Sequence, residues 1–301
     1  MIEKASRLSF RRSEWILLGY YAYVAALAPF LRDRSGVTLQ PEIVLSFGAG
    51  LFIFLARGEQ TRNELHFSRA RDWVPIILTL IGFREMELFV PASYTGRLES
   101  GWIQTDVLLL GAWHGRQIIE SLGWIIPIYL EFCYLLVYGL SSLCMAAFYF
   151  SGKRKDIDAF YVIYLSGTLG AYALFPYFPS QPPRLLFPAV YPPEVTTWAR
   201  QLNLFILKHG TIHTGVFPSA HVSSAFSAAW AMFLLFPRRK AFGWVTLVYA
   251  ISVSVATIYG RYHYTADVVS GIAISLAAAG VGLLIRARLL VRDECVEKEL
   301  E

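Results

Sequence analysis

Long apolar stretches separated by short basic turns are the dominant pattern along the chain. Eight of them, at residues 15–31, 43–56, 73–90, 124–150, 157–178, 219–236, 242–259 and 264–285, are predicted to be helices. Most approach the ~20 residues needed to cross a hydrocarbon layer. The stretch 43–56 is short, and 73–90 carries Arg84, Glu85 and Glu87.

The charge of the turns orders these helices across a membrane. With the first turn inside and strict alternation, the basic groups Lys4 to Arg12, Arg57 to Arg71, Lys153 to Lys155, Arg238 to Lys240 and Arg286 to Lys298 all fall on one side. Excess Lys and Arg marks the cytoplasmic side, so both ends are predicted to be cytoplasmic. The connections on the other face, 91–123 and 179–217, are the longest. Within the second, Val195, Trp198, Leu202, Phe205 and Ile206 recur at helical spacing, with Arg200, Gln201 and Lys208 off that stripe. This pattern suits either a helix lying in the membrane interface or a small helix packed on the bundle. The basic start, apolar run and Ala26-Leu27-Ala28 also fit a cleavable leader. Pro29 directly after the would-be site favours an uncleaved anchor.

Composition agrees with the pattern. Of the 301 residues, 55% are hydrophobic and 16% charged, and the mean hydropathy is +0.46. A soluble domain carries roughly 25% charged residues. The expected fold class is therefore all-α, a polytopic transmembrane helical bundle. It is organised as one membrane domain, with residues 1–150 as N-terminal spans, 157–285 as the core and 286–301 as a tail. The net charge of +5 sits in turns and not on one polar face, which argues against a nucleic-acid partner. Cys133 and Cys144 lie on one segment about three helical turns apart, too far for a disulfide, and Cys295 stands alone in the charged tail. No metal-ligand spacing follows from them.

Three polar clusters fall on the less basic face, each at the edge of a span. They are Phe178-Pro179-Ser180-Gln181-Pro182-Pro183-Arg184, Phe217-Pro218-Ser219-Ala220-His221 and Gly260-Arg261-Tyr262-His263-Tyr264-Thr265-Ala266-Asp267. His263 and Asp267 are one helical turn apart. A carboxylate there can accept the imidazole Nδ1–H and leave Nε2 free as a nucleophile. Pro218 suits the first position of a helix whose unpaired N–H groups, around Ser219 and Ala220, would bind a phosphate oxygen. His221 in that turn is placed to protonate a leaving alkoxide. Arg184 and Arg261 supply guanidinium forks that match the equatorial oxygens of a phosphoryl transition state. Each group alone has a structural reading as a cap, an interfacial residue or a snorkelling anchor. Their convergence on one face points to chemistry.

The order Pro-Pro-Arg, Phe-Pro-Ser-x-His and Arg-x-His-Tyr-x-x-Asp resembles the type 2 phosphatidic acid phosphatase (PAP2) superfamily, over residues 157–285. Within it, the branch containing inositol phosphorylceramide synthases is the most similar, with sphingomyelin synthases a further comparison. The resemblance implies a helical bundle that needs no metal or other cofactor and works through a phosphohistidine. It implies a lipid phosphate as substrate, with His263 as nucleophile, Asp267 as its orienting carboxylate, His221 as acid, and Arg184, Arg261, Ser219 and Ala220 around the phosphate. The chain departs from the broader pattern at Tyr177, where a Lys is usual, at Leu185 for Pro, at Ala220 for Gly, and at Thr257 for the third-motif Arg.

The expected activity is thus that of an integral membrane lipid phosphatase or phosphotransferase, its site on the outer face of a bacterial plasma membrane or the lumen of an endomembrane. Water as acceptor makes it a phosphatase, and a lipid or polyol hydroxyl makes it a transferase. A non-catalytic transporter or scaffold is the rival reading, although transporters place binding charges near the midplane on broken helices. Arg84 with Glu87, and Glu131, are further polar candidates, each with a structural reading as a group that fixes its helix, and His114 and His213 in the outside connections could touch a polar headgroup or acceptor.

Overall fold

The computed structural model describes residues 9–31, 39–60, 64–89, 96–212 and 214–300, with side chains as far as residue 284. Three helices open the chain: α1 (Arg12–Leu27), α2 (Gln40–Glu59) and α3 (Glu64–Glu85). Two shorter ones, α4 (Arg97–Val107) and α5 (Gly115–Ser121), are joined by a π-helical turn at Leu108–Ala112. Next come α6 (Ile125–Leu136) and α7 (Leu140–Phe150), linked through the 3₁₀ turn Val137–Gly139, and then α8 (Ile157–Tyr172). The final four are α9 (Trp198–Gly210), α10 (Ala220–Leu235), α11 (Ala241–Tyr259) and α12 (Thr265–Leu300).

Helix occupies all eight predicted stretches. Five segments are long and apolar enough to cross a membrane, namely Arg12–Leu31, Gln40–Glu59, Ile125–Phe150, Ala241–Tyr259 and Thr265–Leu284, and α10 is a shorter apolar helix. The chain is an all-α, membrane-embedded bundle. Trp244, Val245 and Val248 on α11 are 57%, 68% and 57% exposed, as expected of a face turned to lipid. Between lipid-solvated helices the driving force is close packing, which small residues promote. α10 accordingly buries Ala225, Ala228, Ala229 and Ala231 completely against its neighbours. Its Ser223 hydroxyl donates to the Gly167 carbonyl of α8 at 2.9 Å. α8 is the central post, with Phe160, Leu165 and Ala171 fully buried, and its 16 residues span about 24 Å.

Several boundaries differ from the sequence expectation, among them α12, which continues through the expected tail to Leu300. α3 begins at Glu64 and not near residue 73, because the charges of its first turns are satisfied by other side chains. Asp72 accepts from Arg11 Nη1 and Arg154 Nε, both at 2.6 Å, and from the Tyr149 hydroxyl at 2.6 Å. Arg71 pairs with Glu14 at 2.6 Å and with Glu59. α8 stops at Tyr172, short of residue 178, where Pro176 disfavours helix in the residue before it. The ionic cluster ties together the starts of α1, α3 and α8 and the end of α7. The three polar motifs gather at the other end of the bundle, where α10 and α12 begin and α11 ends.

The remaining polar candidates take ordinary places. Arg84 Nη1 donates to the carbonyls of Gly210 and Thr211 at 3.0 and 3.2 Å. His114 is exposed, with Nδ1 at 2.6 Å from Gln117 Oε1, and His213 lies outside the described residues. Cys133 and Cys144 are buried free thiols.

Candidate active site

The turn between α11 and α12 sets the first imidazole. α11 ends with Arg261 in the left-handed region at φ 61, the helix-closing position usually given to glycine. The backbone N–H groups of Tyr262 and His263 then both donate to the Thr257 carbonyl, at 2.9 and 3.1 Å. An arginine there pays about 1 kcal/mol or more in backbone strain, and tertiary contacts hold it. Its Nη1 is 2.7 Å from Asp106 Oδ2, with both side chains nearly fully buried. Asp106 Oδ1 also accepts from the backbone N–H and hydroxyl of Thr265 at 2.9 and 2.8 Å. One carboxylate on α4 thus braces both sides of the His263 turn.

His263 Nδ1 is 2.9 Å from the Val216 carbonyl and 3.2 Å from Asp267 Oδ2. A carbonyl oxygen only accepts, so Nδ1 carries the proton and Nε2 presents its lone pair. That Nε2 faces His221 Nδ1 at 3.4 Å. Burial pushes the His263 pKa well below its ordinary 6.5; the neighbouring His221 adds to this, as does Arg184 more weakly, against the opposing Val216 hydrogen bond. Asp267 has a second duty: its Oδ2 accepts from the Tyr264 N–H at 2.8 Å and its own carbonyl accepts from the Ser219 N–H at 3.0 Å.

His221 stands in the first turn of α10, capped by Ser219, whose Oγ accepts from the Val222 N–H. Pro218 therefore precedes the cap, and the first helical residue is Ala220. The first N–H groups of the helix have no intrahelical acceptor. α12 comes close to this helix start because residue 271 is glycine: a Cβ there would lie 2.6 Å from the Ser219 carbonyl oxygen. The His221 ring stacks on Tyr134 with centroids 4.8 Å apart, and Tyr138 meets it edge-on at 5.6 Å.

The first motif is tied to the third by the Arg184 N–H, which donates to the Arg261 carbonyl at 3.1 Å. The Arg184 guanidinium lies 5.7 Å from the centre of the Tyr262 ring, and Arg200 of α9 lies 5.7 Å from the same ring. Glu131 of α6 holds this group together. It accepts from Arg200 Nη1 at 2.9 Å, the Tyr262 hydroxyl at 2.6 Å and Asn203 Nδ2 at 2.8 Å. Burial first, and then the Glu131 charge, raise the Tyr262 pKa, keeping its hydroxyl a donor.

A cavity of about 650 Å³ opens onto these groups, within the ~300–1,000 Å³ typical of ligand sites. His221, His263, Arg184, Arg200, Arg261 and Tyr262 contribute to its polar end. The structure therefore brings His263, His221, Asp267 and Arg184 together, with the Ser219–Ala220 helix start beside them. The Arg261 guanidinium is committed to Asp106 through Nη1, while its Nε and Nη2 have no partner. Among the described residues, no three His, Cys, Asp or Glu side chains converge as a metal-ligand set.

Arg200, Glu131 and Asp106 complete the site from outside the three motifs. Arg200 was visible only as a polar residue off the α9 stripe. That stripe faces outward, with Trp198 and Phe205 58% and 63% exposed, while Ala199 and Asn203 pack inward. The positions where the broader pattern has cations are occupied differently. Tyr177 accepts from the Tyr23 hydroxyl at 3.2 Å, and Thr257 is buried within α11 with its hydroxyl on the Ser254 carbonyl.

Comparison with known proteins places the chain in a family. A PA-phosphatase related-family protein of Dictyostelium discoideum is 32% identical over 62 residues, 21% of this chain and 11% of that protein. The matched stretch is thus a small part of that relative's length. No solved structure matches. The family model of the PAP2 superfamily matches residues 108–281, the stretch that contains both histidines, Asp106's partner Arg261 and Arg200. The chain is a membrane-embedded member of the PAP2 superfamily.

Proposed function

We propose that the protein is a lipid phosphatase or phosphotransferase that works through a phosphohistidine at His263. The observation that carries this reading is the 3.4 Å approach of His263 Nε2 to His221 Nδ1 at the polar end of the cavity. The His221 Nδ1–H donates to the His263 lone pair, and a bound phosphoryl group replaces that contact. His263 Nε2 attacks phosphorus, forming a P–N bond as the P–O bond to the leaving group breaks. His221, protonated on both ring nitrogens beside the phosphate's negative charge, passes its Nδ1 proton to the departing oxygen and is left neutral. Asp267 and the Val216 carbonyl stabilise the positive ring that results. In the second half, water or another hydroxyl gives its proton to His221 and its oxygen to phosphorus, releasing His263.

Arg184 is the first guanidinium for the phosphoryl oxygens. Arg200, seated over the same tyrosine, is the second. The N–H groups at the start of α10, beside Ser219 and Ala220, complete the cradle. Arg261 braces the nucleophile's turn. The His-Tyr-Thr-x-Asp order at 263–267 resembles the inositol phosphorylceramide and sphingomyelin synthases, which favours transfer to a lipid or polyol hydroxyl over hydrolysis. The basic turns lie at the bundle end remote from the histidines, which supports a site on the outer face of a plasma membrane with cytoplasmic termini.

Incubating the purified chain with labelled lipid phosphate in a lipid extract tests this reading. An acid-labile phosphoenzyme is expected, followed by free phosphate or a new phospholipid. Undiminished turnover by His263→Ala would remove the nucleophile assignment. Sidedness is read by maleimide labelling of Ala189→Cys and Arg239→Cys in intact cells, where only the first is expected to react.

A further inference from the structure

The cavity is not confined to the family-matched part of the chain. From the histidines it extends to α3, where Ile76, Thr79, Leu80 and Phe83 form part of its wall. These residues lie outside the matched stretch 108–281. They recur at helical spacing, so they occupy one face of the outer half of α3.

Away from the arginines and histidines, the α3 face of this wall and the residues across from it are mainly apolar. Of the hydroxyl-bearing residues that line the cavity, Thr79, Thr168 and Ser224 turn their hydroxyls back onto their own helices, while Ser141, Tyr138, Tyr164 and Tyr172 line it as well. Thr79 donates to the Pro75 carbonyl at 2.6 Å, Thr168 to Tyr164 at 2.8 Å and Ser224 to His221 at 3.0 Å. What remains for the ligand is their methyl or methylene surface. Phe175 and Ile212 stand among the apolar groups across from α3. Against the α3 face, a sugar or polyol hydroxyl would lose its water without a side-chain partner, at about 1–3 kcal/mol for each hydroxyl left unpaired. A hydrocarbon chain gains roughly 0.8 kcal/mol per methylene removed from water. The shaft is also continuous with the phosphate-binding end, so one molecule can occupy both.

We propose that α3 is the hydrocarbon-recognising wall of the active site. It receives the chain of a membrane-derived phosphate ester whose phosphorus lies between His263 and Arg184. The proposal rests on the phosphoryl-transfer reading above. It goes further by assigning lipid selectivity to a helix beyond the family-matched region. The selectivity is for a long aliphatic chain against a compact polar alcohol. Leu80, half exposed and at the shaft wall, is the position where added bulk narrows the shaft with least disturbance to the core.

Two experiments on the full chain in detergent micelles test it. The first compares kcat/KM for a long-chain phosphatidate with that for p-nitrophenyl phosphate, in the unmodified chain and in Leu80→Trp and Ile76→Trp. The lipid-to-soluble ratio is expected to fall about tenfold or more in the variants. An unaltered ratio overturns the proposal, and so does an unmodified chain that hydrolyses the soluble ester but never the lipid. In both of those cases the phosphohistidine reading stands. Turnover of neither ester sinks that reading and the proposal with it.

The second experiment needs no turnover. An alkyl phosphonate with a photoactivatable diazirine along its chain is cross-linked to the protein and the adducts are mapped. Adducts within residues 76–83 are expected. Adducts confined to other helices would show that α3 does not meet the chain.

Discussion

Arg261 and Asp106, 155 positions apart in sequence, meet at 2.7 Å in the interior of the protein. Asp106 simultaneously caps the first residue of α12 through the Thr265 N–H. The pair joins a helix of the long 91–123 connection to the turn that carries His263, and it offsets the left-handed backbone at Arg261. Removing one partner leaves a buried charge alone, which costs about 3–5 kcal/mol. Asp106→Ala is therefore expected to lower the thermal midpoint in detergent sharply, and Asp106→Leu combined with Arg261→Met to recover much of the loss. If the double variant is as unstable as the single, the ion pair is not what braces the turn.

The two histidines are expected to fail in different ways. His263→Ala should yield no phosphoenzyme from any ester. His221→Ala should lower turnover of an alkyl ester by about 10²–10⁴-fold but slow a nitrophenyl ester far less, since its leaving group needs no proton. Single-turnover trapping with both esters separates the roles, and equal losses on both would count against His221 as acid.

Burial and the adjacent His221 hold the His263 pKa below 6.5. The neutral, nucleophilic ring therefore persists as the pH falls through that value. Phosphoenzyme formation should still be substantial at about pH 5.5, and its acid limb should lie below the ordinary histidine range. The same depression works against stability in acid: the unfolded chain takes up this proton from about 6.5 downward, so stability declines from there until the folded ring also protonates. An acid limb centred at or above 6.5 would contradict the burial argument.

Arg200 is expected to act on binding. Arg200→Ala should raise KM for a lipid phosphate by about tenfold or more, the value of a charged hydrogen bond at ~1.5–3 kcal/mol. Arg200→Lys should recover only part of it, because a single ammonium cannot serve Glu131 and a phosphoryl oxygen as a planar fork does. A KM equal to that of the unmodified chain in both variants would leave Arg200 as a structural partner of Glu131 alone.

Gly271→Ala tests the close approach of α12 to the start of α10. A methyl group 2.6 Å from the Ser219 oxygen forces the two helices apart, and with them the Asp267–Ser219 backbone bond. Expected is a loss of activity greater than the loss of stability, measured on the same preparation by turnover and thermal unfolding.

Much of this was readable in the chain itself. Apolar runs and basic turns located the helices, because membrane insertion imposes a length and a charge bias that act locally along the sequence. The His263–Asp267 spacing was readable for the same reason, as one helical turn. Asp106, Glu131 and Arg200 could not be assigned, since each acquires its role only from a partner brought by another helix. Asp106 is a single acidic residue in a polar helix until Arg261 and Thr265 arrive beside it. The early start of α3 escaped notice in the same way. Arg71 and Asp72 look like turn residues until Glu14, Arg11 and Arg154 enclose them.

The His221 ring is held flat against Tyr134 while Tyr138 closes its edge. These contacts on its face and edge oppose the ring rotation that would exchange its two nitrogens. In the proposed reaction, the proton it releases and the proton it regains would therefore travel by the same nitrogen, Nδ1, on the side facing His263. Departing alcohol and incoming acceptor would then share a single doorway, and the acceptor could not be loaded until the alcohol had left.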